Sequence, residues 1–192
     1  MYKVKNYEHL LGLEGFSDTL LNTHFGLYQG YVKNTNNTLE ALKVLRESEN
    51  FGVEYAEIKR RLGWEFGGMR LHELYFGNLS QEKKVFAADA QFAQALVAQF
   101  GSVDAWEKDF VATGSLRGIG WVVLTQDRET GDLYNVWVGE HDLGHLVGTT
   151  PLLIMDVFEH AFVFDYGMKR AEYIAAFMNV VDWEVVEKRF SS

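Results

Sequence analysis

Apolar positions recur at helical spacing through the first third of the chain. After Ser17-Asp18, which reads as an N-cap, Leu20, Leu21, His24, Leu27, Tyr28 and Tyr31 fall on one stripe. The stripe reaches Asn34-Thr35-Asn36-Asn37, where side chains that compete for backbone hydrogen bonds predict a break. A second helix is predicted from Thr38 to about Glu49. A third runs from Glu54 towards Leu79 and carries the Gly67-Gly68 pair before His72. Residues 1–79 thus read as a helical hairpin plus a connector. Ser80 is the predicted cap of a helix through Phe100, and Ser102 that of one through Trp106, Phe110 and Val111.

The period then changes. Ile119 to Thr125 is a β-type run, Asp127 to Asp132 holds a Thr-Gly-Asp turn, and Leu133 to Val138 alternates as a second strand. A third strand, Leu152 to Met155, leads into Asp156. The only proline, Pro151, stands at its start, where a missing N–H is tolerated. Helical patterning returns over Arg170 to Val181 and Trp183 to Phe190. The layout is an all-helical N-terminal half and, over 80–192, an α+β half around a small antiparallel sheet.

Composition narrows the chemistry. The chain has 192 residues, 47% hydrophobic and 15% aromatic, enough for one good core or two modest ones. It has no cysteine, which excludes disulfides, thiolate zinc sites and iron–sulfur clusters and leaves His, Asp and Glu as metal ligands. A net charge of −9 with dispersed basic residues argues against a nucleic-acid partner. The basic clusters Lys59-Arg60-Arg61 and Lys83-Lys84 read as solvated helix faces. No apolar run approaches roughly 18 to 20 residues, and the N-terminus lacks the regions of a secretory signal. The expectation is a soluble, cytoplasmic protein with no membrane partner.

Within this frame Asp156-Val157-Phe158-Glu159-His160 stands out, setting a carboxylate and an imidazole four residues apart in an apolar run. A carboxylate at the end of an apolar strand has to be paired or ligated. His24 and His72 each lie in an aromatic, helix-patterned segment, so three imidazoles and one carboxylate are available to a single ion. Such a set suits iron, manganese or zinc. On a helix His24, Tyr28 and Tyr31 share a face, which sets two phenols beside the first histidine.

Several segments resemble the iron/manganese superoxide dismutases. They are 71–79 (Leu-His-Glu-Leu-Tyr-Phe-Gly-Asn-Leu), Gly101-Ser102-Val103 with Gly118-Ile119-Gly120-Trp121, Asp156-Val157-Phe158-Glu159-His160-Ala161-Phe162, and Tyr173-Ile174 with Asn179-Val180-Val181-Asp182-Trp183. The resemblance covers nearly the whole chain in order. It implies an N-terminal antiparallel helical hairpin domain (1–79) packed on a C-terminal α/β domain (80–192). It also implies one Fe or Mn ion per subunit, held by His24, His72, Asp156 and His160, with solvent as a fifth ligand. The implied activity converts superoxide to dioxygen and hydrogen peroxide. The implied assembly is a homodimer in which Glu159 reaches the partner subunit's His160.

Around the ligands the chain departs from the family pattern. The glutamine that bonds the solvent ligand can come from either domain in the family; the two candidate positions here are Gly68 and His141, a histidine some members also use. The resemblance therefore assigns that bond to His141. The family's active-site tyrosine lies eight residues after the first ligand, whereas Tyr31 lies seven after His24. Either the family's helix carries a bulge that this chain lacks, or Tyr31 is displaced; the i, i+7 geometry favours the first. Tyr28 takes the place of a gateway histidine, Phe158 that of a tryptophan, and Leu27 that of a lysine. Arg170 matches the arginine of the substrate funnel. Two other readings follow from the same residues: a metal-binding relative with a structural or sensing role, and an iron oxygenase, against which four protein ligands argue.

Overall fold

The computed structural model describes residues 1–82, 86–88 and 90–190. Its first two helices form the hairpin. Helix α1 spans Asp18–Glu47, and the Ser17 side chain caps it by accepting from the Leu20 N–H at 3.1 Å. Helix α2 spans Val53–Phe76 and packs along α1. The expected break at Asn34–Asn37 is absent: α1 is one continuous helix of 30 residues. Asn36 is engaged elsewhere, its side chain accepting from Tyr2 N–H at 2.8 Å and donating to Tyr2 O at 2.9 Å. Thr35 is fully buried. The helix-propensity penalty of such residues, about 0.5 kcal/mol each, is outweighed by packing along the hairpin.

The helix expected from Ser80 starts later, as α3 over Gln91–Phe100. Leu79 forms a β-bridge with Val181, and Ser80 N–H bonds Val180 O at 2.9 Å, so this backbone is committed to an extended pairing. Lys83-Lys84 lies outside the described residues. Helix α4, Val103–Gly114, starts as expected, with the Ser102 hydroxyl accepting from Ala105 N–H at 3.0 Å.

The sheet has three antiparallel strands in the order β2-β1-β3, with β1 at Trp121–Asp127, β2 at Leu133–Val138 and β3 at Thr149–Asp156. The fold is thus α+β, a helical N-terminal region followed by a region built on this sheet. Strand β1 begins two residues later than expected because Gly118 and Gly120 adopt φ of 129° and 138°, open only to glycine. Strand β3 begins three residues earlier than expected, so Pro151 lies inside it. It pairs Thr125 at a register shift on the outer strand, where a missing donor is tolerated. In register, Trp121 stands between Val138 and Asp156, so the end of β3 and the loop after β2 meet at one end of the sheet.

Helices α5 (Val163–Tyr166), α6 (Arg170–Asn179) and α7 (Trp183–Phe190) complete the chain. Arg189 on α7 donates to Asn78 Oδ1, to Leu152 O at 2.7 Å and to Leu74 O at 3.1 Å, joining α2 to β3 through one guanidinium. Burial lowers this group to about 10. One core, including Leu20, Phe76, Trp121 and Phe177, runs through both the hairpin and the sheet.

Where α2 meets the loop after β2, side chains are excluded. A Cβ on Gly67 would lie 2.1 Å from the His141 carbonyl oxygen, and one on Gly68 would lie 2.6 Å from the Tyr31 ring. Gly67→Ala should destabilise the protein by about 1–3 kcal/mol, since rigid backbone has to move. Gly30→Ala, where nothing lies within 4 Å of the added carbon, should stabilise it by about 0.5–1 kcal/mol. Urea unfolding midpoints of the two variants check both signs.

Candidate metal centre

Four elements bring one residue each to a common point. His24 comes from α1, His72 from α2, Asp156 from the last position of β3, and His160 from the 3-10 turn Glu159–Ala161. Their ligand atoms all lie within 4.8 Å of one another. The centre of the group is Asp156 Oδ2, which faces His24 Nε2 at 3.2 Å, His160 Nε2 at 3.1 Å and His72 Nε2 at 3.7 Å. His24, His72 and Asp156 are fully buried, and the His160 side chain is 19% exposed.

Backbone contacts orient two of the donors, Asp156 and His72, whereas His24 Nδ1 is buried without a hydrogen-bond partner. Asp156 Oδ1 accepts from Phe158 N–H at 2.8 Å, which leaves Oδ2 for the histidines. Tyr173 donates to the Asp156 carbonyl at 2.6 Å and contacts the Tyr75 hydroxyl at 3.1 Å. His72 Nδ1 donates to Gly68 O at 2.6 Å, so its Nε2 carries the lone pair. That His72 Nε2 is buried without a hydrogen-bond partner, a large penalty for an imidazole nitrogen unless a cation occupies the point it faces. The donor set, three neutral nitrogens and one anionic oxygen, fits a divalent or trivalent transition ion.

The electrostatics agree. Burial alone would raise the Asp156 carboxyl, but His160 and His24 hold it far below the usual carboxylate range, so it is ionised. Burial lowers His24, with Asp156 opposing, and lowers His72 further, helped by His24. At His160 burial is outweighed by the Asp156 charge, and its pKa is raised. Such a site presents an anion and two imidazoles that resist protonation, the states in which these groups ligate.

Aromatic rings surround the cluster. Tyr31 stacks on His72 with centroids 5.1 Å apart, Trp121 meets His72 edge-on at 4.9 Å, and Phe158 stacks on His160 at 5.4 Å. His141, 1% exposed, lies among them. Its Nδ1 accepts from the Trp121 indole at 3.1 Å, so its Nε2 bears the proton and donates to the Tyr31 hydroxyl at 2.7 Å. The space a Gly68 side chain would need is filled by the Tyr31 ring. Tyr28 points elsewhere: its hydroxyl accepts from Lys5 N–H at 3.1 Å and donates to Glu73 Oε1 at 3.1 Å. Arg170 is half-buried and donates to Leu116 O at 2.7 Å and Gly118 O at 2.6 Å, with its guanidinium 5.3 Å over Phe162.

Two neighbours of the cluster were not singled out from the sequence. Trp64, partly buried on α2, contacts the His141 ring at 4.6 Å and the Tyr31 ring at 5.3 Å. Glu140 accepts from the Trp64 indole at 3.1 Å. Trp64 lies eight residues before His72 on α2, about two turns along one face, a spacing that could have nominated it. Glu140 has no such spacing, and only the approach of the loop to α2 joins it to the cluster.

A buried three-histidine, one-aspartate cluster shared by a helical hairpin and a sheet gives this α+β protein the architecture of a metal-binding protein, with four residues that could hold one ion. A family model described as "Iron/manganese superoxide dismutases, C-terminal domain" matches residues 88–189. The chain is 35% identical over 175 residues to "Superoxide dismutase [Mn] 2" of Haloferax volcanii, covering 91% of this chain and 86% of that one. It is 35% identical over 178 residues to "Superoxide dismutase [Fe]" of Saccharolobus solfataricus, covering 90% and 84%. With the "Superoxide dismutase [Fe]" of Aquifex aeolicus it shares 32% identity over 199 residues, covering 99% and 92%. The chain belongs to the iron/manganese superoxide dismutase family.

Stability should follow pH through His141. Burial lowers this group to about 4, with the Asp156 and Glu140 charges opposing. In the unfolded chain a histidine takes up its proton near pH 6.5; folded His141 does not, so acid favours the unfolded state. Between pH 7 and pH 5 metal-free protein should lose about 2 kcal/mol through this residue. Denaturant unfolding of metal-free His141→Gln at the two pH values should show that much less of a loss than the wild-type chain.

Proposed function

We propose that this chain is an oxidoreductase that dismutes superoxide, 2 O2•− + 2 H+ → O2 + H2O2, with one iron or manganese ion held by His24, His72, Asp156 and His160. The observation that carries the proposal is the convergence of three imidazole Nε2 atoms on Asp156 Oδ2 in a buried, aromatic-walled site. An ion held by these four residues would supply one-electron acceptance and donation.

The protein's own groups handle charge, water and protons. Trp121 and Phe158, both buried, exclude bulk water from the site. His141 stays neutral at pH 7 and holds its proton at Nε2 towards Tyr31. Burial and the Asp156 charge raise Tyr31, so its phenol keeps its proton through the neutral range. Because Tyr31 Oη accepts from His141, its own O–H is free to donate into the site and orient a small oxygen species. Arg170, fixed by two carbonyls, is the cation we assign to steering the anionic substrate against a net charge of −9.

The proposal includes a homodimer in which Glu159 pairs with the partner subunit's His160. Glu159 is exposed and the His160 side chain is partly so. Val163, Phe164 and Met168, which follow closely in the chain, are 39%, 63% and 92% exposed, leaving apolar surface beside the pair. Light scattering should give twice the 22.0 kDa chain mass, and Glu159→Ala should shift the equilibrium towards the single chain.

Activity is tested on protein loaded separately with iron and with manganese, by inhibition of cytochrome c reduction in a xanthine oxidase assay. At least one form should inhibit, and Asp156→Ala should lose both bound metal and inhibition. Full metal occupancy without inhibition in either form would overturn the catalytic reading and leave a metal-binding relative.

A further inference from the structure

His141 is the first buried residue after β2, on a loop whose residues 142–148 are all exposed. A loop of this kind does not by itself hold an imidazole to within a few tenths of an ångström. The Trp121 and Tyr31 hydrogen bonds define the tautomer of the ring. They do not hold the chain that carries it.

Within the loop His145 Nε2 donates to the His141 carbonyl at 2.9 Å and Gly139 N–H to Leu143 O at 3.2 Å; the restraint on the ring from outside the loop comes from α2. Trp64 packs its indole on the His141 ring at 4.6 Å, and its Nε1 donates to Glu140 Oε2 at 3.1 Å, one residue before His141. One side chain therefore touches the imidazole and holds the side chain of the residue before it. The indole is itself braced: the Arg61 guanidinium lies 3.8 Å over its ring and donates from Nε to Glu65 Oε1 at 2.8 Å. Closer still, the His141 carbonyl occupies the space that the absent Gly67 side chain leaves. The hydrogen bond crosses from the helical hairpin to the loop of the sheet, 76 residues away in sequence.

We propose that Trp64 and Glu140 form a latch that positions His141, so that its Nε2–H stays on the Tyr31 hydroxyl. They are positioning residues, and neither needs to touch the substrate. The importance of the latch to dismutation rests on the function proposed above; its effect on the geometry of His141 does not.

The test uses four full-length variants: Trp64→Phe, which keeps a ring and loses the donor; Glu140→Ala, which loses the acceptor; their double variant; and Glu140→Gln, whose amide oxygen still accepts. Solvent exchange of the His141 Nε2–H is followed by NMR in metal-free protein, with β1 backbone amides as the internal reference for global stability. Trp64→Phe and Glu140→Ala should each speed this exchange about tenfold, the size expected for one lost hydrogen bond. The double variant should go no further than either single one, and Glu140→Gln should remain near the wild type. In metal-loaded protein kcat should fall in the same order across the variants, with KM changed little.

Unchanged exchange in Trp64→Phe, or single effects that multiply in the double variant, would overturn the latch. A wild-type chain that fails to dismute superoxide while showing the expected exchange pattern would overturn the activity and leave the latch supported.

Discussion

A single buried carboxylate sets the terms for this molecule. Asp156 has no solvent exposure and stays ionised, a state that an apolar interior does not tolerate without compensating donors. The compensation comes from the Phe158 N–H and from imidazoles on three other parts of the chain. Two of those imidazoles stand on the hairpin and the third on the turn that follows the sheet. The hairpin and the sheet are therefore joined through the centre as well as through a common core. The Tyr173 hydroxyl on the Asp156 carbonyl and the Arg189 bridge between α2 and β3 fix the same junction from the outer side.

Around that fixed point the surrounding side chains depend on one another. Gly68 leaves a space on α2, the Tyr31 ring fills it, and His141 reaches the Tyr31 hydroxyl from the loop after β2. Gly67 admits the backbone of that loop to the helix. Each position makes room for the next, so none of them is expected to tolerate a larger side chain alone. A side chain at Gly68 would displace the tyrosine before it could offer a hydrogen bond.

Much of this was legible in the sequence because strand alternation, helix stripes and caps are local. The Ser17 and Ser102 caps, the strand Leu133–Val138 and the helix Trp183–Phe190 all follow from short windows. The four-residue step from Asp156 to His160, with two histidines in aromatic helical segments, was enough to nominate the ligand cluster. Where local reading failed, a distant partner decided. Asn36 stays helical because its side chain serves Tyr2, and Ser80 fails to start a helix because Val180 pairs with it. The contacts of Trp64 and Glu140 span 76 residues and obey no periodicity.

The account stands on four side chains gathering one ion at Asp156. The most direct measurement is a crystal structure of manganese-loaded protein with anomalous scattering data collected at the manganese edge. The account predicts a single strong peak per chain, bonded to Nε2 of His24, His72 and His160 and to Oδ2 of Asp156. A peak elsewhere, or one that leaves His72 Nε2 uncoordinated, would contradict it.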